Sequence, residues 1–351
     1  MEFKHPYTAT GIGSFPHKDE REVFHLVFQN FPEIPFLPQF PKRSFFEGMV
    51  VQYSEGFPSL RLDEKEQKAW IDTSEGFEKE VENFYQWIEK GDLEPFRISE
   101  DFARGLRILK DLSSEKDRSK MKYIKGQITG PITFGLSLTD QEKRPIFYDP
   151  TLKDILIKHL SLKAQWMEKR FNDLLPGIPS ILFFDEPALS SFGSAFSGLN
   201  REDVILSLNE CFSAIQGLKG VHCCGNTDWS LLLSTELDIL SFDAYGYLEN
   251  LSLYPKELTT FLERGGILAW GIVPTNEDVL KEDVQSLVKR FKEGAKTLSK
   301  EGIDQTLLKR AIITPSCGTA SLPIPLSERV CQLTAEVSKR LKEQWNNGRL
   351  E

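Results

Sequence analysis

Short apolar runs alternate along this chain with longer stretches in which apolar residues recur every three or four positions. The runs that read as strands are Thr8–Gly13, Ile34–Leu37, Tyr123–Ile128, Ser180–Phe184, Gly220–Cys224, Asp238–Phe242, Gly266–Gly271 and Ala311–Ile313. Helical periodicity fills most of the gaps, as in Thr151–Asn172, Glu202–Ile215, Asn276–Leu298 and Leu326–Trp345. Strand-then-helix alternation predicts a parallel sheet with helices outside, because a parallel connection needs a crossover long enough to hold one. Eight strands in that order predict a closed (β/α)8 TIM barrel, an α/β fold, in a single domain over residues 1–351. One region breaks the alternation. Residues 38–122 contain a short extended piece, Met49–Tyr53, and charge-rich helical stretches, Phe77–Lys90 and Ile98–Leu112, and read as an insertion or lid between the second and third strands.

Composition narrows the function classes. The 351 residues are 40% hydrophobic and 27% charged, which suits a large core and excludes disorder as the main state. No run approaches the roughly 20 apolar residues of a membrane span. The N-terminus, MEFKHPYTATG, carries no apolar signal core, so a cytoplasmic location without membrane association is expected. The net charge of −9 and the lack of a dense Lys/Arg run argue against a nucleic-acid partner. Cysteine changes the picture more. The five, Cys211, Cys223, Cys224, Cys317 and Cys331, are an odd number in a chain of this kind and read as free thiols or metal ligands rather than a disulfide framework.

The residues after each strand are unlike those before it. They read GSFPH, QFPKR, TGPIT, DEPALS, HCCGN, DAYGY, WGIVPT and TPSCGT. Turn chemistry explains the Gly, Pro, Asn and Asp. It does not explain His and three of the five cysteines, and in barrels the site is built from the loops at the carboxyl ends of the strands. Side chains alternate along a strand, so His222 and Cys224 face the same way while Cys223 faces the other. Cys317 would reach the same rim from the last strand and Asp243 from the sixth. An imidazole, two thiolates and a carboxylate or open position suit zinc. The competing reading is buried thiols, since free cysteine often acts as a small hydrophobe. For Cys211 and Cys331, each in a helical pattern, core packing is the expectation. A zinc with two thiolates has little net charge and favours binding and ionising a substrate thiol over generating hydroxide, so alkyl transfer to sulfur is expected over hydrolysis.

Five segments resemble a known family. Ile12-Gly13-Ser14-Phe15-Pro16, Thr129-Gly130-Pro131-Ile132-Thr133, Asp185-Glu186-Pro187-Ala188-Leu189, His222-Cys223-Cys224 and Pro315-Ser316-Cys317-Gly318 match, in order, motifs of the catalytic C-terminal barrel of cobalamin-independent methionine synthase. The HCCGN form is also similar to that of corrinoid-linked coenzyme M methyltransferases, within the uroporphyrinogen decarboxylase superfamily. The resemblance implies a (β/α)8 barrel, zinc on His222, Cys224, Asp243 and Cys317, and methylation of a thiol, homocysteine foremost. Asp243 stands where the family has Glu, one methylene shorter. The resemblance further implies that Asp185 holds the substrate ammonium and that Ile12 and Ser14 hold its carboxylate. Asp185 and its neighbour Glu186 are the acids expected to serve the chemistry, Glu186 by orienting the site.

Other residues in these loops carry blander expectations. His17 reads as a solvent-facing loop residue, Lys42 and Arg43 as charges that could meet an anion, and Glu47 or Glu55 as a second acid for the ammonium. The family's N-terminal barrel, which helps to bind methyl-folate, has no counterpart in this sequence, so a methylated corrinoid carried by another protein is the expected donor, with methyl-folate the other choice. Two further readings stay open: a metal-free decarboxylase of the uroporphyrinogen type, and a non-catalytic module that docks a corrinoid protein.

Overall fold

A computed structural model describes residues 3, 5–114, 116–193 and 198–346. The chain begins with β1 (Thr8–Ala9), enters the inserted region with the hairpin of β2 (Leu60–Asp63) and β3 (Lys68–Ile71), and resumes with β4 (Ile124–Thr129) and the two-residue β5 (Thr139–Asp140). It continues through β6 (Ser180–Asp185), β7 (Leu218–Cys223), β8 (Ile239–Phe242), β9 (Ile267–Val273) and β10 (Ala311–Pro315). Seven of these form one curled sheet in the order β1-β10-β9-β8-β7-β6-β4, every neighbour parallel. The remaining three form a small separate sheet, β2-β3-β5.

The expected second strand is where the barrel pattern departs from the sequence reading. Residues 34–39 form no ladder. They make two isolated bridges, Phe36 to Lys125 on β4 and Gln39 to Ser14 beyond β1. The Leu37 N–H donates to the Lys125 carbonyl at 3.0 Å and the Gln39 N–H to the Gly13 carbonyl at 2.9 Å. Pro35 and Pro38 have no N–H to give, so the segment cannot sustain regular pairing on either side. The first strand is likewise shorter than Thr8–Gly13. At Gly11 the Phe36 ring occupies the space a Cβ would need, and the chain turns there instead of continuing the ladder.

Alternation along the strands sorts side chains to the two faces of the sheet. The outward face packs under the helices in the large apolar core, which includes Ile124, Ile128, Phe184, Val221 and Leu240. Gly126 lies there because Met167 and Phe171 of the long helix Pro150–Leu174 come too close to leave room for a Cβ. The inward face is apolar only toward the amino ends of the strands, where Tyr123, Ile181, Phe183, Leu218, Ile239, Ile267 and Ile312 form their own cluster. Toward the carboxyl ends the same face turns polar, with Gln127, Thr129, Asp185, His222 and Ser241 buried there, while Lys125 is buried level with Ile181 nearer the amino end of β4.

Most helices begin at side-chain caps that the sequence supplies directly. Asp149 accepts from the N–H groups of Thr151 and Leu152, Asn200 from those of Glu202 and Asp203, and Asp283 shares a capping box with Ser286. The Asp283 cap separates helix Val284–Lys300 from a 3-10 turn, Glu277–Leu280, where the periodicity suggested one helix. In the inserted region, helix Phe77–Glu89 matches its pattern. The expected extended piece at 49–53 is instead a 3-10 turn, Val51–Tyr53, with all three side chains buried, which an alternating strand on a surface would not achieve. Among the described residues no helix is long and apolar enough to cross a membrane.

Candidate metal centre

Parallel pairing places Thr129, Asp185, His222 and Ser241 side by side on neighbouring strands, so their side chains form one inward row at the carboxyl ends. Cys224 follows β7 by one residue, and Cys317 follows β10. The ligating atoms of His222, Cys224 and Cys317 all lie within 4.8 Å of one another, the only such group of three among the described residues. Cys223 faces away and is buried in the outer core. Cys211 and Cys331 are also core residues, and all five cysteines are free thiols.

The imidazole is oriented by its neighbour in the ladder. His222 Nδ1 lies 2.9 Å from the Ser241 hydroxyl, which leaves Nε2 buried and without a partner. A histidine that ligates a metal through one nitrogen has its other ring nitrogen fixed in this way. The Cys317 thiol and then the His222 ring beside it hold the Cys224 thiol well below its usual range, whereas the neighbouring Cys224 sulfur, together with burial, pushes Cys317 upward. An imidazole nitrogen without a partner and two sulfurs, one of them biased toward the thiolate, are a nitrogen–sulfur set of the kind zinc takes.

The cluster opens on a cavity of about 260 Å³ whose walls include Ile12, Ser14, Asp185, Pro187 and Gly318. The inserted region and the segment leading into it add Gln39, Pro41, Glu47 and Met49. Asp185 is buried with Oδ1 unpartnered. Burial raises its carboxyl to about 6, opposed by the His222 and Lys125 charges. In the turn that brings Ile12 and Ser14 to the same cavity, the N–H groups of Ile12, Gly13 and Ser14 find no backbone acceptor among the described residues. Buried backbone donors are almost always paired, so the free amides of buried Ile12 and Gly13, with that of half-buried Ser14 beside them, mark a place where an external acceptor fits. The Ser14 carbonyl, by contrast, is held by the N–H of Thr319 at 2.8 Å and by its hydroxyl at 3.0 Å, which fixes the turn.

Several residues stand elsewhere than the sequence suggested. Glu186 does not line the cavity. Its carboxylate accepts from the Ile132 and Thr133 N–H groups at 2.9 and 2.7 Å and from the Thr133 hydroxyl at 2.7 Å, where it starts helix Pro131–Ser137. Its own N–H donates to the His222 carbonyl at 2.8 Å. Burial raises the Glu186 carboxyl to about 7, and those three bonds hold it against that pull. Both of its oxygens are thus spent on the start of that helix. Asp243 is outside the three-residue cluster: its Oδ1 accepts from the Gly246 N–H at 2.8 Å as the cap of helix Ala244–Leu251. Its side chain is one methylene shorter than the Glu that the resemblance implies.

His17 is fully buried rather than solvent-facing, edge-on to Phe15, with Nε2 3.7 Å from Glu328. Arg43 is tied to Glu47 in an ion pair, and the second Glu47 oxygen takes the Phe40 N–H at 3.0 Å. Glu55 lies away from the cavity and accepts the Ser99 N–H at 2.7 Å. The sequence reading missed Ser241, Gln39 and Met49. Ser241 was findable, because it lies on the inward parity of its strand. Gln39 and Met49 carry no local signal.

No family model and no curated protein matches this sequence. Solved structures do share its fold. A Listeria monocytogenes protein described as a candidate vitamin-B12-independent methionine synthase superposes with a TM-score of 0.57 at 14% identity, over 96% of this chain and 98% of its own. A methyltransferase from Methanosarcina mazei does so with a TM-score of 0.54 at 16% identity, over 97% of this chain and 94% of its own. A B12-independent methionine synthase from Shewanella sp. W3-18-1, in complex with selenomethionine, aligns over 68% of this chain and 67% of its own at 18% identity, with a TM-score of 0.46. At such identities the likeness is one of fold, and chemistry has to be argued from the site.

Proposed function

We propose that this chain is a zinc-dependent methyltransferase of the methionine synthase type, which moves a methyl group to the sulfur of a small aminothiol, homocysteine fitting best. The convergence of His222, Cys224 and Cys317 on the cavity that also holds the free carboxylate oxygen of Asp185 carries this reading. The whole-chain fold likeness to a methyltransferase supports it. His222 Nε2 and the two sulfurs would hold the zinc, with Asp243 the nearest addition from β8 if its cap bond to Gly246 is released. When bound, the zinc supplies the positive charge that lets a thiol lose its proton at neutral pH.

The remaining work belongs to the chain's own groups. Asp185 takes the substrate ammonium, and a charge-assisted bond there is stronger than a neutral one. The amides and hydroxyl of the Ile12–Ser14 turn take its carboxylate. Glu186 keeps the 130s helix and the His222 carbonyl in place while Asp185 faces inward. Met49, on the cavity wall and 38% exposed, marks the side from which a donor would approach. That donor is a methylated corrinoid on a partner protein, or methyl-folate. Residues 34–39 act as the eighth stave that closes the sheet into a (β/α)8 barrel, and residues 38–122 as a lid within the one domain. Holding sulfur and methyl carbon together supplies much of the acceleration.

Among the described residues the cavity lining holds no lysine or arginine, which weighs against a decarboxylase for a polycarboxylate substrate. The test is metal analysis of protein purified without added zinc, followed by thiol assays with methylcobalamin and with methyltetrahydrofolate. About one zinc per chain, lost to a chelator together with methyl transfer to homocysteine, is the expected result. A folded protein that neither holds zinc nor takes it up would overturn the reading. Zinc and corrinoid-protein binding without thiol consumption would favour the docking module.

A further inference from the structure

Lys125 is a fully buried cation on the inward face of β4, under the floor of the cavity. Its Nζ donates to the Ile12 carbonyl at 2.7 Å and to Gln127 Oε1 at 3.2 Å. It lies over the rings of Phe183 and Phe36, at 4.9 and 5.8 Å from their centroids. Among the described residues it has no carboxylate within ion-pair distance. The Asp185 charge acts on it only from beyond ion-pair distance, and a buried ammonium without a direct ion pair costs stability, so that an apolar side chain of similar volume in its place is often neutral or better. Packing therefore does not account for a lysine here.

The carbonyl it holds does suggest an account. A trans peptide is planar, with its C=O and N–H pointing in opposite directions. Drawing the Ile12 carbonyl toward the ammonium turns the N–H of the same peptide unit, that of Gly13, away from it. This N–H and its two neighbours are the free donors of the turn, and Ile12 and Ser14 on either side line the cavity. We propose that Lys125 is a positioning residue for the carboxylate of the substrate: it grips the Ile12 carbonyl from below so that the turn's amides stay aimed at that group. The inference rests on the reading that this turn binds a carboxylate.

Two ligands separate the roles. Methionine carries both an ammonium and a carboxylate, whereas 3-(methylthio)propylamine lacks only the carboxylate. Calorimetric titration of each into the zinc-loaded protein measures what the carboxylate contributes. Wild type should prefer methionine by at least about tenfold, the worth of a charge-assisted bond. In Lys125→Met and Lys125→Leu the preference should shrink to less than about threefold, while the amine binds no more weakly than in wild type, because the Lys125 charge opposes an ammonium at Asp185, and the zinc content is unchanged.

An unchanged preference in the variants would overturn the positioning role alone. So would equal weakening of both ligands, which marks a general disturbance, or failure of both variants to fold, which would make the lysine part of the core. Wild type that binds neither ligand would overturn the aminothiol reading and this inference together.

Discussion

Two groups of polar side chains are taken out of water in this fold, and they are built in opposite ways. Beneath the inserted region, His159 and Lys163 sit one turn apart on helix Pro150–Leu174, both fully buried. His159 Nε2 lies 2.8 Å from the Tyr53 carbonyl, and its ring packs among Phe57, Phe96 and Phe134. Lys163 Nζ donates to the Arg97 carbonyl at 3.1 Å and the Phe96 carbonyl at 3.4 Å. These side chains bolt the backbone of the insertion to the helix. Burial lowers Lys163 to about 7 and holds His159 well below its usual range. At the carboxyl ends of the strands, Asp185 and Glu186 are displaced just as clearly. Burial and a displaced pKa therefore do not tell the two regions apart. Unspent valences do. Asp185 and His222, each with an unpartnered atom, line one cavity together with Ile12 and Ser14 of the turn, whereas the unpaired His159 Nδ1 belongs to no group of three ligating side chains among the described residues.

The contrast is most directly broken at the metal centre. Cys317→Ser should weaken zinc binding by at least about a hundredfold, since loss of a ligand exceeds the 10- to 100-fold cost of losing a supporting bond. Competition with a chromogenic chelator measures it, and zinc retention at the wild-type level would remove the cavity's distinction. Asp185→Asn is expected to raise the KM for an aminothiol about 10- to 100-fold with zinc content unchanged. Its effect on stability has a definite sign. Burial raises this carboxyl to about 6, so the ionised form costs folding free energy as pH rises from 3.8 through 6, and the asparagine variant should melt no lower than wild type at pH 7.5.

Glu186→Gln tests the neighbouring acid whose oxygens are spent. Turning an amide N–H₂ toward the Ile132 and Thr133 donors should cost about 1–3 kcal/mol of stability, seen as a lower melting temperature with the zinc retained. Lys163→Met sharpens the other side of the comparison and has the smallest expected effect, about 1 kcal/mol after the loss of its bonds to the two carbonyls. Because burial lowers this lysine from 10.5 to about 7, wild type bears the penalty in full below pH 7 and sheds it as pH rises toward 10.5. The stability of the variant relative to wild type should therefore be greater at pH 7 than at pH 10, measured by denaturant unfolding. Neither zinc content nor ligand affinity should change.

Much of this could be seen in the residues themselves. Strand alternation alone put His222 and Cys224 on one side and Cys223 on the other, and the caps at Asp149, Asn200 and Asp283 act within a few residues of themselves. Helix and strand periods are local properties, so the seven paired strands and the long helices were legible from pattern. Where two residues of the same chemistry stand side by side, residue type alone does not sort them. Asp185 and Glu186 are adjacent acids at one strand end, and only the pleat decides that one faces the cavity while the other meets the 130s helix.

The chain by itself thus determined which residues could carry the chemistry and which face of each strand they occupy, because both follow from side-chain type and a two-residue repeat. The tertiary structure decided which of them meet. Cys317 and His222 are separated by all of the last three strands, and Ile12 by more than a hundred residues from the lysine that grips its carbonyl. Such meetings depend on how the sheet curls and on what the insertion covers, and no local pattern encodes a distance across the fold.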